Sequence, residues 1–173
     1  MHALQLFGQV DIYQVHNLLN VPAQLALLER LKSQGSVRAV GATHYQESAF
    51  GELARLMETG RLDMVQIPYN PLRRTAEREI LPLAESLGMG VLVMSPLQHG
   101  ILDRRPTVAQ LKELGVEAWP QALLKWIASD PRVSTVLTAT QQPDHVRENA
   151  RAGDPPFFNP EQRALVVRIA ERD

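Results

Sequence analysis

Polar side chains that can donate and accept hydrogen bonds follow each of five short apolar runs in this sequence. The clearest are a histidine, a threonine–histidine pair and a glutamine: His16, Thr43-His44 and Gln66. Fixed donors of this kind can hold an amide or polarise a carbonyl group. A purely structural strand end would more often carry Gly, Asp or Pro, so the set indicates a binding site. The remaining positions are Asn17, Tyr45, Tyr69-Asn70, Met94-Ser95-Pro96-Leu97 and Ala139-Thr140-Gln141.

Composition excludes several other kinds of chemistry. There are no cysteines, which excludes disulfides, thiolate zinc sites and cysteine nucleophiles. The histidines stand singly, without the spacing of metal ligands, and we expect His2 and His99 to be solvated. A formal net charge of −1 gives no electrostatic case for binding nucleic acid or an anionic membrane. No apolar run approaches the roughly 20 residues of a membrane helix, so the default expectation is a cytoplasmic soluble protein.

The apolar runs recur at a fixed interval. The first four begin at Val10, Val37, Met64 and Val91, so that successive starts are 27 residues apart. The fifth run, Val133–Thr140, begins 42 residues after the fourth. Each run is short, β-prone and bounded by turn formers, which predicts a β-strand. A repeat of this length indicates a supersecondary unit.

Amphipathic helices are predicted between the strands. Apolar residues recur at i, i+3, i+4 and i+7 in two stretches and at the first three of these steps in a third, which gives each stretch one apolar stripe. Glycines that follow helical stretches predict left-handed ends. The stripes are Phe50, Leu53, Ala54 and Met57; Ile80, Leu83, Ala84 and Leu87; and Leu123, Trp126 and Ile127, with the glycines at Gly35, Gly60 and Gly88.

Two further helices are predicted outside this regular pattern. Val108, Leu111 and Leu114 stand at three-residue spacing, which predicts a short inserted helix within Thr107–Gly115. Asn159 is a good N-cap ahead of a proline, so a C-terminal helix is predicted over Pro160–Arg172.

Alternating strands and helices at this spacing predict βαβ units and a parallel sheet. An open doubly wound sheet would carry a glycine-rich phosphate loop after its first strand. The residues Asn17–Pro22 after the first run contain no such motif, which favours the (β/α)8 barrel. The predicted fold is therefore α/β, a partial TIM barrel with about five parallel strands and flanking helices, as a single domain over residues 1–173.

Five stretches carry the chemistry-bearing residues in a fixed order: VDIYQVHN, GSVRAVGATHY, MVQIPYNPL, LPLAESLGMGVLVMSPLQHGIL and TATQQPDHVRENARAG. Together they resemble the C-terminal portion of an aldo-keto reductase, at that family's spacing. Each motif is weak alone, but the combination is specific. The resemblance covers nearly the whole chain, and it implies NAD(P)(H)-linked carbonyl reduction or alcohol oxidation on a small carbonyl substrate.

The resemblance implies a role for each residue at the nicotinamide end. His16 matches the histidine that orients the substrate carbonyl by hydrogen bonding. Thr43, His44 and Gln66 match the residues that hold the nicotinamide carboxamide. The usual pair in the family is Ser-Asn, so Thr43 keeps the hydroxyl and His44 departs from the pattern. Met94 stands where the family has an aromatic ring stacked on the nicotinamide, and a thioether packs there less flatly.

The resemblance also implies the contacts of the cofactor's phosphates. Four residues match the loop around the pyrophosphate: Ser95, Pro96, Leu97 and Gly100. Four more match the adenosine-phosphate end, at a helix N-terminus suited to anions: Thr140, His145, Glu148 and Asn149. Many members carry a basic residue after the last strand to pair with the 2′-phosphate. Gln141 and Gln142 stand there in this chain, and His145 replaces a common arginine, which leaves both NADP and NAD open as the cofactor.

The family's catalytic tyrosine, aspartate and lysine come from its first three strand–helix units, ahead of the matched region. In that mechanism the tyrosine donates the proton and the lysine lowers its pKa. Tyr13, Tyr45 and Tyr69 do not match that position, so His16 is the one catalytic residue assigned. A whole barrel takes about 250 residues, so we expect this chain to lack three units. It is then a truncated or mis-started product, or a fragment completed by association.

Three hypotheses about function follow. The first is an aldo-keto reductase whose cofactor contacts are retained and whose catalytic set is incomplete in this chain. The second is a non-catalytic nucleotide-binding or structural relic of a reductase that assembles as an oligomer. It predicts that the lone chain binds NAD(P), or no nucleotide, without turnover. The third, an unrelated phosphate-binding barrel enzyme such as an isomerase, would need a catalytic carboxylate or lysine at a strand end, and none of the five runs carries one there.

The missing units also bear on assembly. The strands that begin at Val10 and Val133 would be open edges of the sheet, and exposed strand edges recruit partners. We therefore expect a homo-oligomer, a dimer or larger, that covers these edges.

Overall fold

Five β-strands lie within the residues described by the computed structural model, which are 2–98 and 100–172. His99 and the side chain of His2, both expected to be solvated, fall outside that description. The strands run parallel and form one sheet in the order of the chain. They are β1 Val10–His16, β2 Val37–Thr43, β3 Met64–Pro68, β4 Gly90–Met94 and β5 Thr135–Val136.

Helices connect the strands, as the alternating pattern predicts. The described residues contain the α-helices α1 His2–Phe7, α2 Val21–Ser33, α3 Phe50–Met57, α4 Ile80–Leu87, α5 Val108–Leu114, α6 Trp119–Ala128, α7 Pro143–Ala150 and α8 Pro160–Ala170. The three glycines predicted to end helices have left-handed φ angles of 74°, 68° and 65°. The inserted helix and the C-terminal helix are present as α5 and α8. The cap of α8 is a reciprocal pair in which Asn159 and Gln162 each accept the other's backbone N–H.

The chain divides into two compact units, of which the first comprises Met1–Ile67 and Ala76–Val91. In this unit β1 pairs with β2 along its whole length, and β2 pairs with the start of β3. The apolar stripe predicted at Phe50 is buried throughout. The core is completed by the buried leucines of α2, by the strand residues Val40, Val65 and Ile67, and by Ile80, Leu81 and Ala84 of α4.

The second unit comprises Pro68–Thr75 and Leu92–Asp173. Here β4 and β5 pair through Leu92 with Thr135 and Val93 with Val136. The core is formed by α6 and α8, with the indole of Trp126 2% exposed. That ring lies 5.0 Å from the ring of Tyr69 and 4.6 Å from the guanidinium of Arg163.

The predicted elements differ from the structure in several details, including a one-residue shift in the start of β4 and an end of α8 at Ala170 instead of Arg172. The fifth strand is two residues long instead of the eight of Val133–Thr140. In α4 the buried face differs from the predicted stripe: Leu81, outside the predicted stripe, is buried, whereas Leu87, within it, is 42% exposed. In α5 the first residue of the predicted stripe, Val108, is 84% exposed, and Leu114 alone is buried. Each difference lies at the end of an element, where periodicity fixes orientation least.

The described residues contain neither a helix that could cross a membrane nor a side-chain cluster that could hold a metal ion. None of their helices has the length and apolar character needed to cross a membrane. Nor do they contain a group of three or more acidic or histidine side chains that could hold a metal ion.

Candidate functional site

The predicted site residues divide between the two units. The first unit holds the substrate-orienting and nicotinamide set, His16, Thr43, His44 and Gln66. The second unit holds Met94, predicted to pack on the nicotinamide ring, and the residues predicted to contact the pyrophosphate and the adenosine phosphate. These are Met94, Ser95, Pro96, Leu97 and Gly100, and Thr140, His145, Glu148 and Asn149.

Three polar residues form one row across β1, β2 and β3. His16 is paired with Thr43, and Thr43 is paired with Gln66. Residues that pair in this way project from the same face of a parallel sheet, with the strands about 4.8 Å apart. Thr43 is 6% exposed, and Gln66 is half-buried. The register thus places a ring nitrogen, a hydroxyl and an amide side by side, at the last residues of β1 and β2 and at the middle residue of β3.

A glutamine that the sequence analysis did not select supports this row. Gln14 lies two residues before His16, on the same face of β1, and its side-chain nitrogen donates to Oε1 of Gln66 at 2.9 Å. The intervening strand carries Gly41, where an added Cβ would lie 3.0 Å from Cγ of Gln14 and 2.9 Å from Cγ of Met64. The missing side chain at Gly41 therefore gives Gln14 room to reach across β2.

His16 is exposed and is held by its neighbour. The side-chain nitrogen of Asn17 lies 3.1 Å from Nε2 of the imidazole. An amide N–H can only donate, so Nε2 accepts and the neutral ring carries its proton on Nδ1. The turn that follows contains three residues with left-handed backbone: Asn17, Leu18 and Asn20, with φ of 50°, 53° and 48°.

His44 belongs to the loop after β2. Its Nδ1 accepts the backbone N–H of Gln46 at 3.1 Å, and its ring is stacked on Tyr45 with centroids 5.4 Å apart. Its backbone N–H donates to the carbonyl of Gln66 at 3.4 Å. The imidazole is thus oriented by its own loop, and its neutral form has a donor at Nε2.

The loop after β4 is set by an unusual backbone conformation. Ser95 has a φ of 57°, a left-handed value that costs a non-glycine residue about 1–2 kcal/mol. Its carbonyl accepts from the side chain of Asn70 at 3.1 Å, and the carbonyl of Met94 accepts from Tyr69 N–H at 3.4 Å. Pro96 is buried, whereas Met94, Ser95 and Leu97 are half-buried, and Gly100 is exposed with a φ of 69°.

The predicted adenosine-phosphate residues lie around the start of α7. The hydroxyl of Thr140 accepts the backbone N–H of Gln142 at 3.1 Å and lies 3.3 Å from Nδ1 of His145. Glu148 and Asn149 are one turn further along, on the same side of the helix as His145. Apart from the half-buried Thr140 and Asn149, these residues and Gln141 and Gln142 are exposed.

The second unit contains a cluster of charged side chains around the buried Asp130, which we call the Asp130 cluster. Asp130, which is 1% exposed, accepts two bonds of 2.8 Å from the guanidinium of Arg132. Arg163 donates to Oη of Tyr69 at 2.9 Å and lies 3.5 Å from Asp130. Burial acts to raise the pKa of Asp130, but hydrogen bonds from Arg132 and the charges of Arg132 and Arg163 outweigh it, and the pKa lies below its usual value. The ionised carboxylate therefore stays paired.

A cavity of about 770 Å³ in the second unit lies apart from most of the predicted site. Its walls are the end of α6, β5 and one side of α7, and they are mainly apolar. Of the predicted site residues, Asn149 lines it. The cavity therefore does not define the candidate site, which rests on the residues at the strand ends.

Sequence reasoning missed Gln14 and Gly41 as parts of the site, and it assigned no role to the side chain of Asn70. Period-two alternation counted back from His16 would have placed Gln14 on the same face. The role of Asn70 depends on a contact 25 residues away along the chain, for which no local pattern gives a signal.

Parallel strands with polar residues toward their carboxyl ends and flanking helices are typical of (β/α)-barrel proteins, whose sites lie at those ends. The model of the aldo/keto reductase family matches residues 2–171. The chain belongs to the aldo/keto reductase family.

The chain is similar to several curated relatives along part of their length. It is 29% identical to the NADH-specific methylglyoxal reductase of Escherichia coli (strain K12), covering 87% of this chain and 56% of that protein. It is 26% identical to the uncharacterized oxidoreductase YrpG of Bacillus subtilis (strain 168), covering 83% of this chain and 53% of that protein. The chain therefore spans about half the length of these two relatives.

Solved structures show the same fold. An aldo-keto reductase from Bacillus halodurans in its holo form matches 98% of this chain and 65% of its own, with 22% identity and a TM-score of 0.75. An aldo-keto reductase from Klebsiella pneumoniae in complex with NADPH matches 94% of this chain and 59% of its own, with 23% identity and a TM-score of 0.75. The predicted fold class, a partial (β/α)8 barrel, is confirmed.

Proposed function

We propose that this chain supplies nicotinamide-nucleotide contacts and one substrate-orienting residue of an NAD(P)(H)-linked carbonyl reductase. The observation that carries the proposal is the row His16–Thr43–Gln66 on one face of the sheet. The nicotinamide carboxamide needs both a hydrogen-bond donor and an acceptor, and the hydroxyl and amide of this row offer both. His16 stands at the end of the row with a ring N–H available to orient a carbonyl oxygen.

Each unit carries side chains whose chemistry suits one part of a nicotinamide nucleotide. Thr43, His44 and Gln66 would hold the carboxamide, and the thioether of Met94 would pack on the ring. The bound nucleotide supplies the hydride for reduction. The pyrophosphate would be held by Ser95, Pro96, Leu97 and Gly100, and the adenosine-phosphate end by Thr140, His145, Glu148 and Asn149.

The adenosine-phosphate end supports the use of NADH as well as NADPH. Gln141 and Gln142 are exposed and uncharged, so neither offers an ion pair to a 2′-phosphate. The Escherichia coli relative is named as NADH-specific, and the Klebsiella pneumoniae structure holds NADPH. We propose that the chain binds both nucleotides with similar affinity.

Turnover requires a proton donor in addition to His16. Tyr69 is fully buried within the Asp130 cluster, and Tyr45 is stacked on His44. Tyr13 lies on the face of β1 opposite to His16, so none of the three tyrosines is proposed for that role. This observation favours a second candidate function, a nucleotide-binding protein without turnover. The two candidates make the same prediction for binding and opposite predictions for catalysis.

The test is titration of the purified chain with NADPH and NADH by fluorescence, alongside an assay of aldehyde reduction. Thr43→Val removes the hydroxyl at nearly constant volume, and we expect it to weaken both nucleotides about tenfold, as for one lost hydrogen bond. Thr59→Val, in the turn after α3, is the matched control and should bind normally. Binding with turnover supports the reductase, and binding without turnover supports the second candidate. Absence of binding by the folded wild-type chain contradicts both.

We further propose that the chain forms a homo-oligomer through the edge of β1. Within the described residues β1 stands at one end of the strand order and β5 at the other. Three apolar side chains at or beside β1 are exposed, Leu6 at 67%, Phe7 at 74% and Ile12 at 38%. An apolar, unpaired strand edge favours association with a second copy.

Light scattering coupled to size exclusion tests this assembly. We expect a dimer or larger species that Ile12→Lys converts toward monomer, because a charge on an edge strand opposes pairing. Leu19→Lys, at a leucine that is 65% exposed in the turn beyond β1, is the control and should leave the assembly intact. A monodisperse wild-type monomer contradicts the proposal.

A further inference from the structure

Asn70 is a fully buried amide whose hydrogen-bonding groups point to two different segments. Its Oδ1 accepts the backbone N–H groups of Leu72 at 2.9 Å and Arg73 at 3.1 Å, which closes the turn after β3. Its Nδ2 donates to the carbonyl of Ser95 at 3.1 Å, in the loop after β4. The residue is 0% exposed, so the Asn70 side of each of these part-buried bonds is shielded from water.

The backbone conformation of Ser95 is unfavourable for a serine and needs stabilising contacts from other residues. Its φ of 57° lies in the left-handed region, which residues other than glycine seldom adopt. Its carbonyl is fixed by Asn70, and the preceding carbonyl, of Met94, accepts the N–H of Tyr69. Two consecutive carbonyls are thus held by two consecutive residues. Because a trans peptide is planar, holding the Met94 carbonyl on this side turns the N–H of Ser95 to the opposite side.

We propose that Asn70 is a positioning residue that keeps Ser95 left-handed, so that the loop after β4 presents its backbone and hydroxyl to the nucleotide's pyrophosphate. The proposal rests on the proposed function for the role of the loop, and on the Asn70–Ser95 contact for the mechanism. We call these two contacts the clamp: Tyr69 N–H donates to the Met94 carbonyl, and the Asn70 side chain donates to the Ser95 carbonyl. Tyr69 is itself held by hydrogen bonds within the Asp130 cluster.

The chemistry of the clamp is specific to an asparagine side chain. A carboxylate of the same shape would keep the two acceptor bonds of the turn but would have no donor for the Ser95 carbonyl. A serine hydroxyl can accept within the turn but is too short to reach Ser95. Asn70→Asp and Asn70→Ser therefore both remove the hydrogen bond to the Ser95 carbonyl. The aspartate also introduces a buried charge, whereas the serine does not.

The first experiment is fluorescence titration of the full chain with NADPH and with NADH. Asn70→Ser is expected to weaken binding about tenfold, and Asn70→Asp at least as much. The matched control is Asn159→Asp, where aspartate caps α8 as well as asparagine does, and its affinity should stay within twofold. Wild-type affinity in a folded Asn70→Ser chain overturns the proposal.

A double-mutant cycle distinguishes the clamp from a general packing role. Glycine adopts the left-handed conformation without help, so in the Ser95→Gly background the Asn70→Ser change should cost less than twofold in affinity. A full tenfold loss in that background shows that Asn70 does not act through Ser95 and overturns the proposal.

Nuclear magnetic resonance measures the effect of Asn70 on the backbone of Ser95 in the absence of nucleotide. The HN–Hα coupling and the carbon shifts of Ser95 report its φ, and we expect them to change from left-handed values in Asn70→Ser and to stay unchanged in Asn159→Asp. If the wild-type chain binds no nucleotide, the proposed function fails, and these shifts still decide whether Asn70 holds Ser95. Left-handed values retained in folded Asn70→Ser overturn the clamp, whether or not nucleotide binds.

Discussion

Gln14 and Gln66 are hydrogen-bonded to each other across an intervening strand, with Nε2 of Gln14 2.9 Å from Oε1 of Gln66. The bond joins residues 52 positions apart, and it passes over Gly41. It orients the amide that we propose as a nicotinamide contact. The absence of a side chain at one position of β2 is therefore a condition for the geometry of β1 and β3.

Gly41→Ala is expected to destabilise the chain by about 1–3 kcal/mol, the usual cost of overpacking. The added Cβ would lie 2.9 Å from Cγ of Met64 and 3.1 Å from the Met64 carbonyl oxygen. The two neighbouring strands, β2 and β3, must therefore adjust. Urea denaturation measures the loss. Gly51→Ala in α3 is the control, because its nearest neighbour is 3.9 Å away. That change should be neutral or stabilise by up to about 1 kcal/mol, and an equal loss for the two variants contradicts the steric explanation.

Asp63→Asn should make the stability of the first unit less dependent on acid pH. Both carboxylate oxygens lie 2.6 Å from Nζ of Lys32, and one accepts Val40 N–H at 2.7 Å. Burial acts to raise the pKa of Asp63, but the hydrogen bonds from Lys32 and Val40 and the charge of Lys32 outweigh it, so the pKa lies below its usual value. Stability from this pair is therefore present above about pH 4, the unfolded value, and is lost as pH falls through the folded pKa.

The measurement for Asp63 is the urea midpoint at pH 7 and at pH 3. At pH 7 the variant should be less stable by about 1 kcal/mol, a value kept small because the pair is partly exposed. The difference should shrink at pH 3. Asp11→Asn removes the largely exposed pair with Arg38 and serves as control, with no measurable change expected at either pH.

Asp130→Asn is expected to cost about 3 kcal/mol, because it leaves the guanidinium of Arg132 without its buried counter-charge. The pKa of Asp130 is lowered, so this contribution is also present above about pH 4 and lost as pH falls through the folded pKa. Thermal unfolding at pH 7 measures the effect. Asp144→Asn breaks an exposed pair with Arg147 and should change stability by less than about 0.5 kcal/mol. A similar loss of stability in Asp130→Asn and Asp144→Asn would contradict the claim that burial makes the Asp130 ion pair the more stabilising of the two.

Gln141→Arg is expected to increase affinity for NADPH and to leave affinity for NADH nearly unchanged. A guanidinium can pair with the 2′-phosphate that only NADPH carries, and an exposed pair of this kind is worth up to about 1 kcal/mol, or about fivefold. Competitive fluorescence titration gives both constants. Gln24→Arg adds the same charge on α2, in the other unit, and should alter neither. Equal gains for both nucleotides would place Gln141 away from the 2′-phosphate.

The sequence predicts the elements of this fold better than the contacts between them. The strands at Val10, Val37 and Met64 begin at the predicted residues, because β-prone runs bounded by turn formers are local signals. The cap at Asn159 is local in the same way. The bonds Gln14–Gln66 and Asn70–Ser95 were not predicted, because each depends on strand register and rotamer together. The assigned contacts of the nucleotide and the homo-oligomer remain predictions.

The strands of the sheet stand in the order in which the ribosome makes them. In the first unit, pairing partners such as Val10 and Val37 are 27 residues apart, so each new strand finds its neighbour already synthesised. Short separations of this kind lower the entropy of loop closure and speed folding. Assembly can therefore proceed vectorially during translation, with each emerging strand–helix unit docking on the one before it.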